Sequence, residues 1–129
     1  MARQTSSQPT EVELQILGVL WELGPATVRE VHDALSSQRD TGYSTTLKMM
    51  QVMLEKGLVK RNDAVRPQVY RAAKSKPLTQ VRMLDDFTKK VFGGSAKRLV
   101  MRMVSTGRLS PEEIAEIQQL AKAAEGEQK

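Results

Sequence analysis

No cysteine occurs anywhere in the chain. Disulfides, thiolate metal sites and cysteine nucleophiles are therefore excluded, and the absence fits a reducing cytoplasm. Histidine occurs once, as His32. A single imidazole beside Asp33 on a helix reads as a surface residue, and it leaves any zinc site to carboxylates almost alone. Aromatic residues are 4% of the 129, against 40% for all hydrophobic types, so the core must be aliphatic. No apolar run approaches the ~20 residues of a membrane span, so no membrane insertion is expected. The opening MARQTSSQPT carries no apolar segment of the signal-peptide kind and reads as a disordered tail over 1–9. Acidic charge is in deficit: 20 Lys and Arg face 15 Asp and Glu, a net +5 that favours an anionic partner. There is no P-loop, no Gly-x-Gly-x-x-Gly and no internal repeat. No enzyme, cofactor or metal is expected.

What the chain does have is clear helix punctuation. Thr10-x-x-Glu13, Thr27-x-x-Glu30 and Ser110-x-x-Glu113 each have the form of a capping box, in which the hydroxyl and the carboxylate satisfy free N–H groups of the first turn. The third box accounts for Glu113 of the Glu112-Glu113 pair. Pro111 takes the first helical position, where a missing N–H costs nothing. The first helix carries Leu14, Leu17, Leu20 and Trp21 on one side, broadened by Ile16 and Val19, and should stop at Gly24-Pro25. The second places Val28, Val31 and Leu35 at spacings of three and four.

The third helix runs from about Ser44 to Lys56. At ~100° per residue, Thr46, Leu47, Met50, Met53 and Leu54 share one face. Ser44, Thr45, Lys48, Val52 and Glu55 point the other way, with Gln51 at the edge. Gly57 ends the helix. Leu58–Asn62 and Gln68–Ala72 read as strands around the turn Asp63–Pro67, and a short strand near Ala26-Thr27 would complete a sheet. Helix, helix, helix, strand, turn, strand is the order of the winged helix, a helix-turn-helix variant with a hairpin.

From Ser75 onward three further amphipathic helices are expected, Pro77–Phe92, Ser95–Ser105 and Ser110–Ala124. Their apolar stripes contain Leu84, Phe87, Val91, Leu99, Val100, Met103, Ile114, Ile117 and Leu120. Fifty-odd residues of short helices cannot build an independent core, and mutual burial with a second copy is the economical solution. The seven methionines, among them Met49, Met50, Met53, Met101 and Met103, read as core and interface filling. The fold class is thus mainly α with a small β hairpin: a winged helix over 10–75 followed by a helical dimerisation region over 76–129.

A winged helix lays its third helix in the major groove, and hydroxyls, lysine and arginine meet base edges and phosphates there. The expected contacts are Thr27 and Arg29 on the second helix, then Ser44, Thr45, Thr46, Lys48, Gln51 and Val52 on the third, with Val52 suited to a thymine methyl. On the hairpin they are Lys60, Arg61, Arg66 and Arg71, in a segment where Lys56, Lys60, Arg61, Arg66, Arg71 and Lys74 face Asp63 alone. Taken alone, Ser44-Thr45-Thr46 is also what a helix cap looks like. A winged helix that contacts only protein would need an apolar or acidic third-helix face, and a ligand-sensing regulator would need an enclosed apolar pocket.

The strings TEVELQILGVLWELGPATVREV (10–31), YSTTLKMMQVMLEKGLVKR (43–61), Arg66-x-x-x-Tyr70 and FGGSAKRLV with LSPEEI (92–114) resemble the penicillinase-repressor family of bacterial winged-helix regulators, the BlaI/MecI/CopY type. The resemblance runs from Pro9 to about Leu120. It implies a cytoplasmic homodimeric repressor that binds double-stranded operator DNA, in this family often built on TACA/TGTA half-sites. The family's Tyr-Thr-Thr-Val-x-Thr opening corresponds to Tyr43-Ser44-Thr45-Thr46-Leu47-Lys48. Lys48 stands where threonine is usual, Val52 where an arginine often follows, and Val65 where a glycine often precedes the wing arginine, Arg66. The copper-sensing branch uses C-terminal cysteines, which this chain lacks. The β-lactam branch is released when a membrane-bound sensor protease leads to cleavage in the dimerisation region, typically at Asn-Phe. Arg102-Met103 occupies the matching positions.

Overall fold

In a computed structural model, residues 8–127 are described; the expected tail lies outside them except for Gln8 and Pro9. The element order is α1 (Glu11–Leu23), β1 (Ala26–Thr27), α2 (Val28–Leu35), α3 (Tyr43–Glu55), β2 (Val59–Asn62), β3 (Val69–Ala72), α4 (Lys76–Phe92), α5 (Ala96–Ser105) and α6 (Pro111–Glu127). This is a winged helix followed by helices. All three capping boxes form. Thr10, Thr27 and Ser110 each accept the N–H of the glutamate three residues on, and that glutamate accepts the cap N–H in return.

The chain divides into two compact units, one ending at Met83 and the other starting at Leu84. In the first, the strands form an antiparallel sheet in the order β1-β3-β2, with Ala26 opposite Tyr70 and Lys60 opposite Arg71. The core is Ile16, Leu17, Val19 and Leu20 of α1, Val28, Val31 and Leu35 of α2, Met50 and Met53 of α3, with Ala26, Val59 and Tyr70 from the sheet. Leu14, Leu47 and Leu54, expected on core faces, are only partly buried. Two turns set the path of the chain. Gly24, at φ 82°, ends α1. Gly57, at φ 80°, ends α3 with its N–H on the Leu54 carbonyl while the Leu58 N–H bonds Met53. This paired ending satisfies the last carbonyls and needs a left-handed residue, which glycine adopts freely. The Trp21 indole N–H donates to the Lys74 carbonyl at 3.0 Å and ties α1 to the segment after β3.

One charged pair departs from the expectation. Lys56 was counted among the free cations near the hairpin, but its Nζ lies 2.7 Å from Glu13 Oε1, and both side chains are nearly covered. Glu13 therefore serves two purposes, capping α1 and neutralising the end of α3 forty-three residues away. Burial pushes its carboxyl pKa up, but hydrogen bonds from Lys56 and the Thr10 backbone, with the charge of Lys56, outweigh it and hold the group below its ordinary value. The unfolded chain then binds that proton more readily. The stabilisation is present above about pH 4.5 and is lost as the pH falls through the depressed value.

The second unit is built differently. Ser95 caps α5 through the Arg98 N–H, and Gly107 ends it with its N–H on Val104. Phe87 and Phe92 meet edge to face at 5.9 Å. Yet among the described residues from Leu84 onward only Thr88 is buried, its hydroxyl donating to the Leu84 carbonyl. No apolar side chain among the described residues of this unit is interior.

Glu13→Gln keeps a residue that can close the capping box and deletes the ion pair. We expect a loss of about 3 kcal/mol in urea denaturation at neutral pH, shrinking towards zero in acid, where Glu13 is protonated in the wild type as well. An equal loss at every pH would assign the effect to something other than the pair.

Candidate nucleic-acid interface

Helix α3 presents two unlike faces. Thr46, Met50 and Met53 are fully buried. Ser44, Thr45, Lys48, Gln51 and Val52 are exposed on the opposite side. The helix starts at Tyr43, one residue earlier than expected, and its N-cap is Gly42, with no side-chain cap. The triplet Ser44-Thr45-Thr46 is therefore not a cap. Among the described residues the hydroxyls of Ser44 and Thr45 have no partner. An exposed hydroxyl without an internal bond is free to donate to or accept from a ligand.

Thr46 is the correction in this set. It was expected to meet DNA, but it is fully buried and cannot reach a duplex. Its hydroxyl donates to the Gly42 carbonyl at 3.3 Å and pairs with His32 Nδ1 at 3.2 Å. His32 is likewise not a plain surface residue. It is half-buried, bonded to Thr46, and edge-on to the Tyr43 ring at 5.8 Å and 80°.

The other expected residues fall in three places. Thr27 opens α2, half-buried, with its hydroxyl taken by the Glu30 N–H. Arg29 is exposed two residues on, in the first turn of α2, its guanidinium carbon 4.3 Å from the centroid of the Tyr43 ring. Lys60 and Arg71 are both exposed and sit directly opposite one another on the hairpin. Arg61, half-buried, is bound to Asp63; that hydrogen bond, followed by the Tyr70 hydroxyl, raises its already high pKa. Asp63 also collects the Gln68 amide, at 3.1 Å, while its carbonyl takes Arg66 Nη1 at 3.2 Å. The turn is thus held by one acidic residue, with Arg66 exposed at its edge. Among the described residues no carboxylate pairs with Arg29, Lys48, Lys60, Arg66 or Arg71.

Beside the outer face of α3 lies a shallow groove, lined on one wall by Ser44, Thr45, Lys48, Met49 and Val52 and on the other by Thr10, Val12 and Glu13 of the α1 start. The chemistry on offer is a helix edge of hydroxyls, one ammonium and one aliphatic side chain, flanked by unpaired cations. That combination bonds polar base edges and phosphate oxygens.

Residues 9–123 match the penicillinase repressor family. The chain belongs to that family. The transcriptional regulator BlaI of Mycobacterium tuberculosis, in strains CDC 1551/Oshkosh and H37Rv, is 40% identical over 50 residues, 38% of this chain. The match spans 36% of the length of those relatives. Among the described residues no helix is long and apolar enough to cross a membrane. Sequence reading named Tyr43 as the start of the family motif but gave it no contact; the structure sets its ring against Arg29 and His32 of α2, contacts that carry no spacing in the sequence.

Since Ser44 and Thr45 cap nothing, alanine at either should leave the unfolding free energy unchanged to within about 0.5 kcal/mol. Thr27→Ala should cost about 1 kcal/mol as a lost cap. Thr46→Val should cost about 1–3 kcal/mol, because His32 and the Gly42 carbonyl lose their partner. A Ser44→Ala loss as large as that of Thr27→Ala would restore the capping role.

Proposed function

We propose that the chain is a transcriptional repressor that acts as a homodimer on a pseudo-palindromic operator. The winged helix over 10–75 reads double-stranded DNA, and the helical region over 76–129 joins two copies. The observation that carries this reading is the outer face of α3, where Ser44, Thr45, Lys48, Gln51 and Val52 are exposed and the hydroxyls are uncommitted. Lys48 can donate to guanine or to a phosphate oxygen, and Val52 can cover a thymine methyl. Arg29, Lys60, Arg66 and Arg71, unclaimed by carboxylates, suit the flanking phosphates. The name of the mycobacterial relatives, transcriptional regulator, supports the same reading.

The dimer rests on a separate observation. Leu84, Phe87, Val91, Val100, Met103, Ile117 and Leu120 are exposed, Leu120 by 71%, and Leu99 and Ile114 are only partly covered. So much apolar surface on helices without an interior calls for a partner, and a second copy gives a closed two-fold assembly matching a two-fold operator. For release from DNA we propose proteolysis at Arg102-Met103 through a membrane-bound sensor protease. Both residues lie within α5, so the bond becomes accessible only when that helix opens.

The test is selection of duplexes from a random library by the full chain, followed by titration at several salt concentrations. Arg66→Ala should weaken binding to selected and unrelated duplexes by similar factors and lower the salt slope by about 1. Lys48→Ala should keep its stability within about 0.5 kcal/mol and lose roughly 1–3 kcal/mol of discrimination at one position of the selected site. Wild-type affinity of Lys48→Ala for every duplex would take α3 out of the interface. Phe87→Glu with Leu120→Glu should convert a dimer to a monomer in sedimentation. An unchanged sedimentation coefficient would remove these helices from the dimer contact.

A further inference from the structure

Arg29 and Tyr43 come from different helices and meet where α2 and α3 both begin. The guanidinium carbon sits 4.3 Å from the ring centroid, a close stacking distance for a cation over an aromatic face. No carboxylate among the described residues competes for Arg29. Stacking uses the flat face of the guanidinium and leaves its N–H donors free around the edge. A long exposed arginine otherwise samples many rotamers and must give up that freedom on binding. Here the ring already restricts it.

The ring is itself held. Tyr43 is the first residue of α3 and is 37% exposed, with the edge of His32 against it at 5.8 Å. His32 Nδ1 in turn pairs with Thr46 Oγ1 at 3.2 Å, and that hydroxyl lies 3.3 Å from the Gly42 carbonyl, to which it donates. The line of contacts runs from an exposed cation to a fully buried threonine. The Tyr43 hydroxyl has no hydrogen bond among the described residues, so the working part of the side chain is the ring.

We propose that Tyr43 is a positioning residue for DNA binding: its ring holds the Arg29 guanidinium edge-on to a backbone phosphate at the margin of the groove that α3 enters. The inference rests on the DNA-binding reading above and adds a role within it. In helix-turn-helix proteins the helix before the recognition helix crosses the backbone, which puts the start of α2 beside phosphate rather than base. Tyr43 therefore sets affinity for duplexes in general and contributes nothing to the choice among them.

The test is fluorescence anisotropy with full-length protein on a labelled duplex selected by the wild type and on an unrelated duplex. Melting midpoints are read in parallel. Tyr43→Leu should weaken binding by about two- to fivefold per protomer, alike on both duplexes. Tyr43→Phe, which keeps the ring, should bind as the wild type does. In an Arg29→Ala background Tyr43→Leu should have no further effect. Arg29→Lys should lose as much as Tyr43→Leu, since a lysine keeps the charge but not the stacked plane. The proposal is overturned if Tyr43→Leu costs the same with and without Arg29, if Tyr43→Phe falls as far as Tyr43→Leu, or if Arg29→Lys binds normally. Should Tyr43→Leu fail to fold, the Phe and Lys variants still decide. A wild-type protein that binds no duplex would overturn the repressor reading itself; wild-type binding with an additive double mutant removes only the role of Tyr43.

Discussion

The rotation of α3 about its own axis decides nearly everything on the outside of the winged helix. Thr46, Met50 and Met53 are fully buried, at spacings of four and three. A helix pinned at those points has no freedom to roll, because a turn of one residue would carry about 100° of apolar surface into water. Ser44, Thr45, Lys48 and Val52 are then forced outward. Gly57 stops the helix in register with the hairpin, and the Glu13–Lys56 pair anchors its far end to the start of α1. The outer face follows from the interior.

Much of this was legible in the residues. The three capping boxes gave the starts of α1, α2 and α6, since a hydroxyl and a carboxylate three positions apart act locally. The burial of Met50 and Met53 followed from the helical period. What escaped depended on residues that meet only in space. Lys56 looked like a hairpin cation because Glu13 is forty-three positions away. His32 looked like a surface residue because Thr46 lies on another helix. Thr46 itself was drawn into the DNA-facing set by its two hydroxyl neighbours, although its helical phase put it among the methionines; phase was the better guide. Helix ends moved by a residue or more, as expected where a cap decides the boundary. α3 begins at Tyr43 because Gly42, not Ser44, takes the cap position.

The two units differ in where their stability comes from. The winged helix has its own core of twelve buried apolar residues. The helices beyond Leu84 have local order, with caps, a glycine stop and a ring pair, but no buried apolar side chain among the described residues. Helices of ten to seventeen residues are marginal alone in water. On the dimeric reading their packing is tied to protein concentration, and cleavage within α5 would act on the least self-sufficient part of the chain.

The outer face of α3 has a consequence for divergence. Ser44, Thr45, Lys48, Gln51 and Val52 supply no core contact and no cap, so exchanging them leaves the scaffold standing. On the DNA-binding reading proposed above, the address is written on residues that folding does not use. Lys48 and Val52, which stand where the family resemblance implies a threonine and an arginine, are both in that set. A chain of this design can be retargeted by a handful of substitutions, each screened for recognition alone, and descendants of one scaffold can drift apart in the sequences they read without passing through an unfolded ancestor.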